Sequence, residues 1–454
     1  MHFIKWLYPG MRFKRWLSLF AVGVILGSLG IAIVFNYKYL GLIEESIFRF
    51  TYQVTGTYSY TATVIFGAVI LVAGIIIMML ATKKIIRSVI GVLVPEGSDN
   101  LVDLIFQKRK LNRGPAIVVI GGGTGLSVLL RGLKSVTSNI TAIVTVADDG
   151  GSSGRLREDF NIIPPGDLRN CLVALADTEP LMEKLFQHRF GGAGGLAGHS
   201  FGNLFIAAMT EILGDVELAL KESSKVLAVR GRVLPASTQH IRLSAEMMDG
   251  TIVEGESRIP QAGKPIRRVF INPADAEPVQ TAIEAIQEAE LVVIGPGSLY
   301  TSVLPNLLVK GIADALRASD ALKVYVCNVM TQPGETDGYS ASQHVAAVLN
   351  HVGEGVIDYA LVNDQKIDPQ LQAQYAEKGA YPVAADVEAI EALGVRAVKR
   401  RIISEVNVIR HDPLRLSRAI LTMSYDHKPH AERVRFLDYY LLAEQKKSGG
   451  KAGE

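Results

Sequence analysis

Five short segments of this 454-residue chain hold the residue types from which anion binding is built. The first, IVVIGGGTGLSVLL from Ile117 to Leu130, reads as a strand, a glycine run (Gly121, Gly122, Gly123, Thr124, Gly125) and a helix. Glycines let a backbone come close to an anion, and the free N–H groups at a helix start add to the attraction, so a phosphate is the natural ligand. The spacing is not GxGxxG, because Leu126 stands where the third glycine belongs, and no Lys-Ser/Thr follows as a P-loop requires. A tight βα turn without a ligand is the alternative.

The second segment, TVADDGGSSGRLREDFNIIPPGDLRN, runs from Thr145 to Asn170. Asp148 and Asp149 fall about 23 residues after Gly125, where the acid of a dinucleotide fold holds a ribose hydroxyl. With Asp167 they also suit Mg²⁺, which is usually held by one or two carboxylates together with phosphate oxygens and water. Asp148, Asp149 and Asp167 are therefore the candidate metal ligands, and Asp149 and Asp167 the candidate catalytic acids. Ser152, Ser153, Arg155, Arg169 and Asn170 add hydroxyls, an amide and two guanidinium groups that grip phosphate in bidentate fashion.

Three glycine-rich stretches complete the set. GGAGGLAGHSFGN (191–203) places His199, Ser200 and Asn203 before a helical run, where a serine also serves as a plain helix cap. Its Gly-His-Ser-Phe-Gly core matches a hydrolase elbow only nominally, since no strand precedes the serine. LVVIGPGSLYTSVLPN (291–306) opens a strand into Gly295, Gly297, Ser298, Tyr300 and Thr301, hydroxyls suited to a phosphate or a sugar. NVMTQPGETDGYSASQH (328–344) begins with Asn328 and continues through Thr331, Gln332 and Glu335; a specificity loop and a plain surface loop are equally compatible with it.

The elements needed to position these segments are legible as strand-length apolar runs alternating with helix-length ones. Ile117–Ile120, Ala142–Val146, Leu291–Ile294 and Lys323–Cys327 are the candidate strands, and the pattern is that of a parallel sheet covered on both faces. The expected fold class is α/β, a doubly wound, mostly parallel Rossmann-like sheet, with ligands at the carboxyl ends of the strands. Between the second and third strands, Ile241–Met247 and Thr251–Ile259 flank the hairpin signal Asp249-Gly250, and Arg267–Ile271 adds a strand. This predicts a small β insertion over residues 235–275, as a lid or an oligomer contact.

Composition separates two unlike parts. Two cysteines without metal or disulfide spacing fit a reducing compartment, and a net charge of +2 excludes a strongly basic nucleic-acid binder. The apolar runs 16–35 and 60–81 are long enough to span a bilayer and predict two transmembrane helices within an anchor over residues 1–94. Basic residues before the first run and after the second place both termini on the cytoplasmic side of the inner membrane. Residues 1–113 carry 13 Lys/Arg against 5 Asp/Glu, while the remainder carries 34 against 40, so a basic anchor joins an acidic body. Residues 95–115 read as a basic linker, 116–425 as the nucleotide-binding domain, and 426–454 as an extension with a disordered end.

Taken in order, GGGTGLSVLLRGL, ADDGGSSGRLR, PPGDLRNCLVALAD, GHSFGNL, GPGSLYTSVLPNLL and NVMTQPGETDGYS closely resemble the YvcK-like, or gluconeogenesis-factor-like, proteins of the CofD (2-phospho-lactate transferase) superfamily. The resemblance covers roughly Ala116 to Met423. It implies an α/β core that binds a nucleotide diphosphate. In the transferase branch it implies Mg²⁺-dependent transfer of a phospho-linked group to a deazaflavin alcohol. In the YvcK-like branch it implies binding of UDP-sugars such as UDP-N-acetylglucosamine and a role linking carbon metabolism to cell-wall synthesis and cell shape. The chain sides with the second branch, because Arg169 stands where the transferases carry their second acid. The two predicted spans depart from the simpler, soluble members and would tether the domain to the bilayer.

Three readings follow. The first is a nonenzymatic or weakly enzymatic nucleotide-sugar sensor, with a homo-oligomer and cell-envelope or regulatory proteins as expected partners. The second is a metal-dependent transferase. The third, an NAD-dependent oxidoreductase, rests on the first βα loop alone.

Overall fold

The computed structural model describes residues 36–56, 108–177, 180–404 and 408–427, with Val24 and Ser28 besides. Both predicted spans, 16–35 and 60–81, lie outside the described residues apart from those two positions. Among the described residues no helix is long and apolar enough to cross a membrane. The chain divides into two compact units at Arg109/Lys110. In the first unit, the stretch read as a connection between spans forms helix α1 (Asn36–Thr55). Arg49 and Glu45, one turn apart on it, pair at 2.8 Å.

The second unit is built on seven parallel strands. Reading along the chain they are β1 (Ile117–Gly121), β2 (Ile140–Val144), β3 (Arg232–Pro235), then β7 (Leu291–Ile294), β8 (Leu322–Val326), β9 (Tyr359–Asn363) and β10 (Arg396–Arg400). Their order in the sheet is β10-β9-β8-β7-β1-β2-β3. The winding thus runs outward from β1 in one direction through β2 and β3, and in the other from β7 through β10. The junction of β1 and β7 is the topological switch point, where an open α/β sheet leaves a crevice at its carboxyl edge. β1, β2, β7 and β8 are buried along their whole length. That explains their near-continuous Val, Ile and Leu, since a parallel sheet is covered on both faces.

Helix α2 (Gly123–Leu133) shows how the first motif becomes structure. Leu126, Leu129, Leu130 and Leu133 recur at helical spacing and are all fully buried against the sheet. Its start needs glycine twice over. Gly123 has φ +67°, and a Cβ on Gly122 would lie 2.5 Å from Thr145 Cγ2 and 2.6 Å from an oxygen of Asp167. At the other end, a Cβ on Gly132 would meet the backbone carbon of Pro413 at 2.8 Å. The last helix, α14 (Pro413–His427), is thereby seated directly on α2. Asp412 caps it, its Oδ1 accepting from the backbone N–H of Leu414 and Arg415.

The predicted β insertion is a three-stranded antiparallel sheet of β4 (Arg242–Met247), β5 (Ile252–Glu254) and β6 (Ile266–Asn272), in the order β5-β4-β6. Two contacts fasten it to the body. The N–H of Val269 donates to His351 Nε2 at 2.9 Å, and the N–H of Ser257 donates to Asp149 at 2.9 Å. The second brings the insertion to the loop after β2.

Asn306 ties the two halves of the sheet. It is fully buried, and its Nδ2 donates to the carbonyl of Gly121 at 3.1 Å and to that of Ser302 at 2.7 Å. Asn306→Ala takes one of two donors from the carbonyl of Gly121, which still accepts from the N–H of Thr145 at 3.0 Å, and removes the amide from that of Ser302. Urea unfolding of the variant is expected to show a loss of about 1–3 kcal/mol; a loss under about 0.5 kcal/mol would mean that water replaces the amide.

Candidate functional site

A crevice of about 430 Å³ opens at the switch point. One wall is the start of α2, from Gly122 to Gly125, and the second is the loop after β7 with Pro296, Gly297, Ser298 and Ser302. The third is the loop after β8, from Asn328 to Pro333, and the far end is closed by Tyr375, Ala380, Ile409, Arg410 and His411. The two glycine loops touch backbone to backbone. A Cβ on Gly125 would stand 2.8 Å from the carbonyl oxygen of Pro296, and one on Gly297 would stand 3.1 Å from that of Gly122. The cap of α2 is a glycine that offers no side-chain acceptor, so the first-turn N–H groups that line the crevice await an acceptor from outside.

One of those N–H groups is already taken. Gly123 N–H donates to Asp167 Oδ2 at 2.6 Å, which places the first residue of helix α4 (Gly166–Leu175) with a charge under the glycine loop. Burial, and next the neighbouring Asp148 charge, push the Asp167 carboxyl up to about 6. Asp148 is raised as well, first by burial, while its Oδ1 accepts from Gly150 N–H at 2.9 Å. The β insertion adds Glu256, raised to about 8 by burial and by Asp148 and Asp149, and the loop after β8 adds Glu335, raised to about 7 by burial. Five carboxyls thus lie within electrostatic reach around Glu256, Asp167 among them holding the glycine loop.

This arrangement bears on the metal expectation. Asp148, Asp149 and Asp167 do not converge as a cage: among the described residues no three His, Cys, Asp or Glu side chains are grouped so as to hold a metal ion. Each accepts a backbone N–H instead, from Gly150, Ser257 and Gly123 respectively.

The remaining sequence candidates divide into those that line the crevice and those that build it. Gly122, Gly123, Thr124, Gly125, Gly297, Ser298 and Asn328 line it. Gly121 and Gly295 lie one layer deeper, at the ends of β1 and β7. Tyr300 and Thr301 are 2% exposed and turned inward, Tyr300 to the hydroxyl of Tyr339 at 2.9 Å and Thr301 to Glu335 at 3.2 Å. They belong to a π-helical turn (Leu299–Val303) rather than to the ligand surface.

The His-Ser-Asn cluster forms an interior lock between helices α3 (Gly151–Phe160) and α6 (Phe201–Leu213). Asn203 Nδ2 donates to Ser152 Oγ at 3.1 Å, which in turn meets His199 Nδ1 at 3.2 Å. Burial and then the Arg155 charge lower the His199 pKa, keeping it a neutral acceptor for the serine proton. Ser200 caps α6, accepting from Asn203 N–H and from Arg169 at 2.5 Å. Arg169 also holds Asn170, and Arg155 donates to the carbonyl of Ala197. Neither guanidinium lines the crevice; Ser153 is buried beside Gly166.

Sequence reading missed Glu256 and the far end of the crevice. Glu256 follows a hairpin with nothing in its own neighbours to mark it, and Arg410 and His411 lie in a two-residue strand, β12, paired with β11 (Ile403–Ser404). The seating of α14 on Gly132 and the bond from Ile409 N–H to the Tyr375 hydroxyl bring that strand to the crevice. Ser302, two residues after Tyr300 in the same segment, lines the wall.

The 2-phospho-L-lactate transferase CofD family model matches residues 117–403. A putative gluconeogenesis factor of Nostoc sp. is 48% identical over 420 residues, 92% of this chain and 91% of the relative. The gluconeogenesis factor of Bacillus subtilis is 54% identical over 303 residues, 66% of this chain but 96% of the relative. A crystal structure of a protein from Bacillus halodurans superimposes with a TM-score of 0.67 at 57% identity, covering 68% of this chain and 99% of that one.

The buried Asp167 makes the site pH-sensitive. Unfolded, its carboxyl titrates near 3.8; folded, near 6, so the native chain holds the proton more tightly. Stability is unaffected by this group below about pH 4, falls as pH rises from about 4 to 6, and stays about 2–3 kcal/mol lower above that. Asp167→Asn, which keeps an oxygen for Gly123 N–H, is expected to flatten this slope and raise the urea midpoint at pH 7.5. An unchanged pH profile would show that burial does not strain the carboxylate.

Proposed function

The chain belongs to the 2-phospho-L-lactate transferase CofD family, among relatives named gluconeogenesis factors, and from that premise we propose that its crevice binds a UDP-sugar in a regulatory role without turnover. The observation that carries this reading is the crevice at the β1/β7 switch point. Its near end offers helix-start N–H groups for a diphosphate, and its volume of about 430 Å³ is in the range of small-ligand sites. Its far end offers the guanidinium of Arg410 and the ring of Tyr375. Arg169, at the position of the transferases' second acid, is committed to Ser200 and Asn170, so it contributes structure rather than a catalytic base. Hydropathy alone supports the further reading that residues 16–35 and 60–81 tether this domain to a membrane.

A Mg²⁺-dependent transferase is the second reading, favoured by the crowding of Asp148, Asp149, Asp167, Glu256 and Glu335. Asp148 and Asp167 would hold the ion together with phosphate oxygens of the ligand, and it would neutralise charge developing on a transferred group. The carboxylates themselves would fix the glycine loop and repel a second anion.

Thermal unfolding of residues 110–454 separates the readings. The Bacillus halodurans protein, matched over 99% of its own length by 68% of this chain, is a separate chain of comparable size to this unit. UDP-N-acetylglucosamine at about 100 times its Kd should add about 2.7 kcal/mol, and Arg410→Ala should abolish most of that gain. A melting temperature indifferent to millimolar ligand would sink the first reading. Product formed from a nucleotide donor with Mg²⁺, and lost in Asp148→Asn, would establish the second.

A further inference from the structure

Two serines on the same wall of the crevice differ in what they can offer a ligand, and a buried carboxyl sets the difference. Glu335 is 3% exposed, and its Oε1 accepts from Gln332 Nε2 at 2.5 Å and from Thr301 Oγ1 at 3.2 Å. Because that oxygen acts as an acceptor, the amide of Gln332 turns its NH₂ toward Glu335 and its Oε1 away. Gln332 Oε1 then accepts from Ser298 Oγ at 2.6 Å. A serine hydroxyl has one proton, and here the protein takes it, so Ser298 presents lone pairs to the crevice.

Ser302 is the contrast. Among the described residues no group takes its hydroxyl proton, and its Oγ lies 3.6 Å from where a Cβ on Gly123 would stand, beside the start of α2. A phosphate oxygen carries no proton at neutral pH and needs donors, whereas a sugar hydroxyl or an amide N–H can donate to a lone pair.

We infer that Ser298 accepts a hydrogen bond from a hydroxyl or N–H of the ligand while Ser302 donates to its phosphate, so that the sugar, and not a second phosphate, lies against Ser298. Glu335 is the positioning residue that fixes this polarity through Gln332. The inference rests on the UDP-sugar reading and deepens it by assigning the two ends of the ligand to two hydroxyls of one loop.

Calorimetric titration of residues 110–454 with UDP and with UDP-N-acetylglucosamine tests it. Ser298→Ala is expected to weaken the sugar nucleotide about 10-fold and UDP less than about 2-fold, the loss of one hydrogen bond felt by one ligand only. Ser302→Ala should weaken both alike. Glu335→Gln, whose amide lets Gln332 turn either way, should narrow the ratio of the two affinities about 3-fold or more while leaving UDP binding in place. Equal weakening of both ligands by Ser298→Ala would make Ser298 a phosphate donor and overturn the inference, with the crevice reading intact. No effect of Ser298→Ala on either ligand, or an unchanged ratio in Glu335→Gln, would overturn it as well. If neither ligand binds the unaltered protein, the reading of the crevice itself fails and the assignment falls with it.

Discussion

Direct contact between two glycine backbones is the constraint on which this site depends. Where β1 and β7 part, the chain leaves each strand through a glycine loop, and the loops meet with the Gly125 position too close to the opposing carbonyl for a side chain and the Gly297 position tight against its own. The contact sets the width of the crevice and turns the first N–H groups of α2 toward it. The carbonyl of Gly121 keeps its place in the ladder, accepting from the N–H of Thr145, and Asn306 gives it a second donor while also holding the carbonyl of Ser302 in the turn after β7. A single buried amide thus holds the end of β1 to the wall that follows β7.

Electrostatics then decide what the crevice admits. The domain carries more acidic than basic residues, so no long-range field draws an anion in. Asp167 sits under the glycine loop and takes the Gly123 N–H, which both orders the loop and places a carboxyl near any bound phosphate. That costs binding energy unless the carboxyl is protonated or a cation is present, and its pKa, raised to about 6, records the same strain in the unliganded protein. In the proposed reading, local dipoles of the helix start together with Arg410 at the far end of the crevice would outweigh it.

How much of this was legible in the sequence follows from the range of the interactions involved. The strands Ile117–Gly121, Leu291–Ile294 and Leu322–Val326 and the helix of Leu126, Leu129, Leu130 and Leu133 were readable because burial on both faces imposes a local apolar pattern. The glycine loops were readable because close approach demands glycine. β3, β9 and β10 were not, since β3 is four residues long and opens on an exposed arginine, the ends of β9 are half-buried, and β10 is an edge strand with three basic residues in five. Among site residues the sequence pointed to hydroxyls and carboxylates without saying which way they face. Tyr300 and Thr301 carry the right chemistry yet turn inward because a π-helical turn rotates them there. Arg410 and His411 carry no local signal, being delivered by the docking of α14 on Gly132.

The placement of these parts bears on how a shared fold supports different outcomes. The glycine cradle is backbone, and backbone dictates only that something anionic fits. In the proposed reading, identity of the ligand would be left to side chains that reach the crevice from the loops after β7 and β8 and from the β11–β12 pair. Within those loops the deciding property is the direction of a hydrogen bond rather than the presence of a polar group. Ser298 and Ser302 are identical in type and four residues apart, yet one has its proton drawn into the protein by Gln332 and the other does not. In the proposed reading, a carboxyl outside the lining of the crevice would thus set what the ligand must donate. Such a device changes by single substitutions without disturbing the glycine contact beneath it, so the fold can be kept while what it recognises, or whether it turns anything over, diverges.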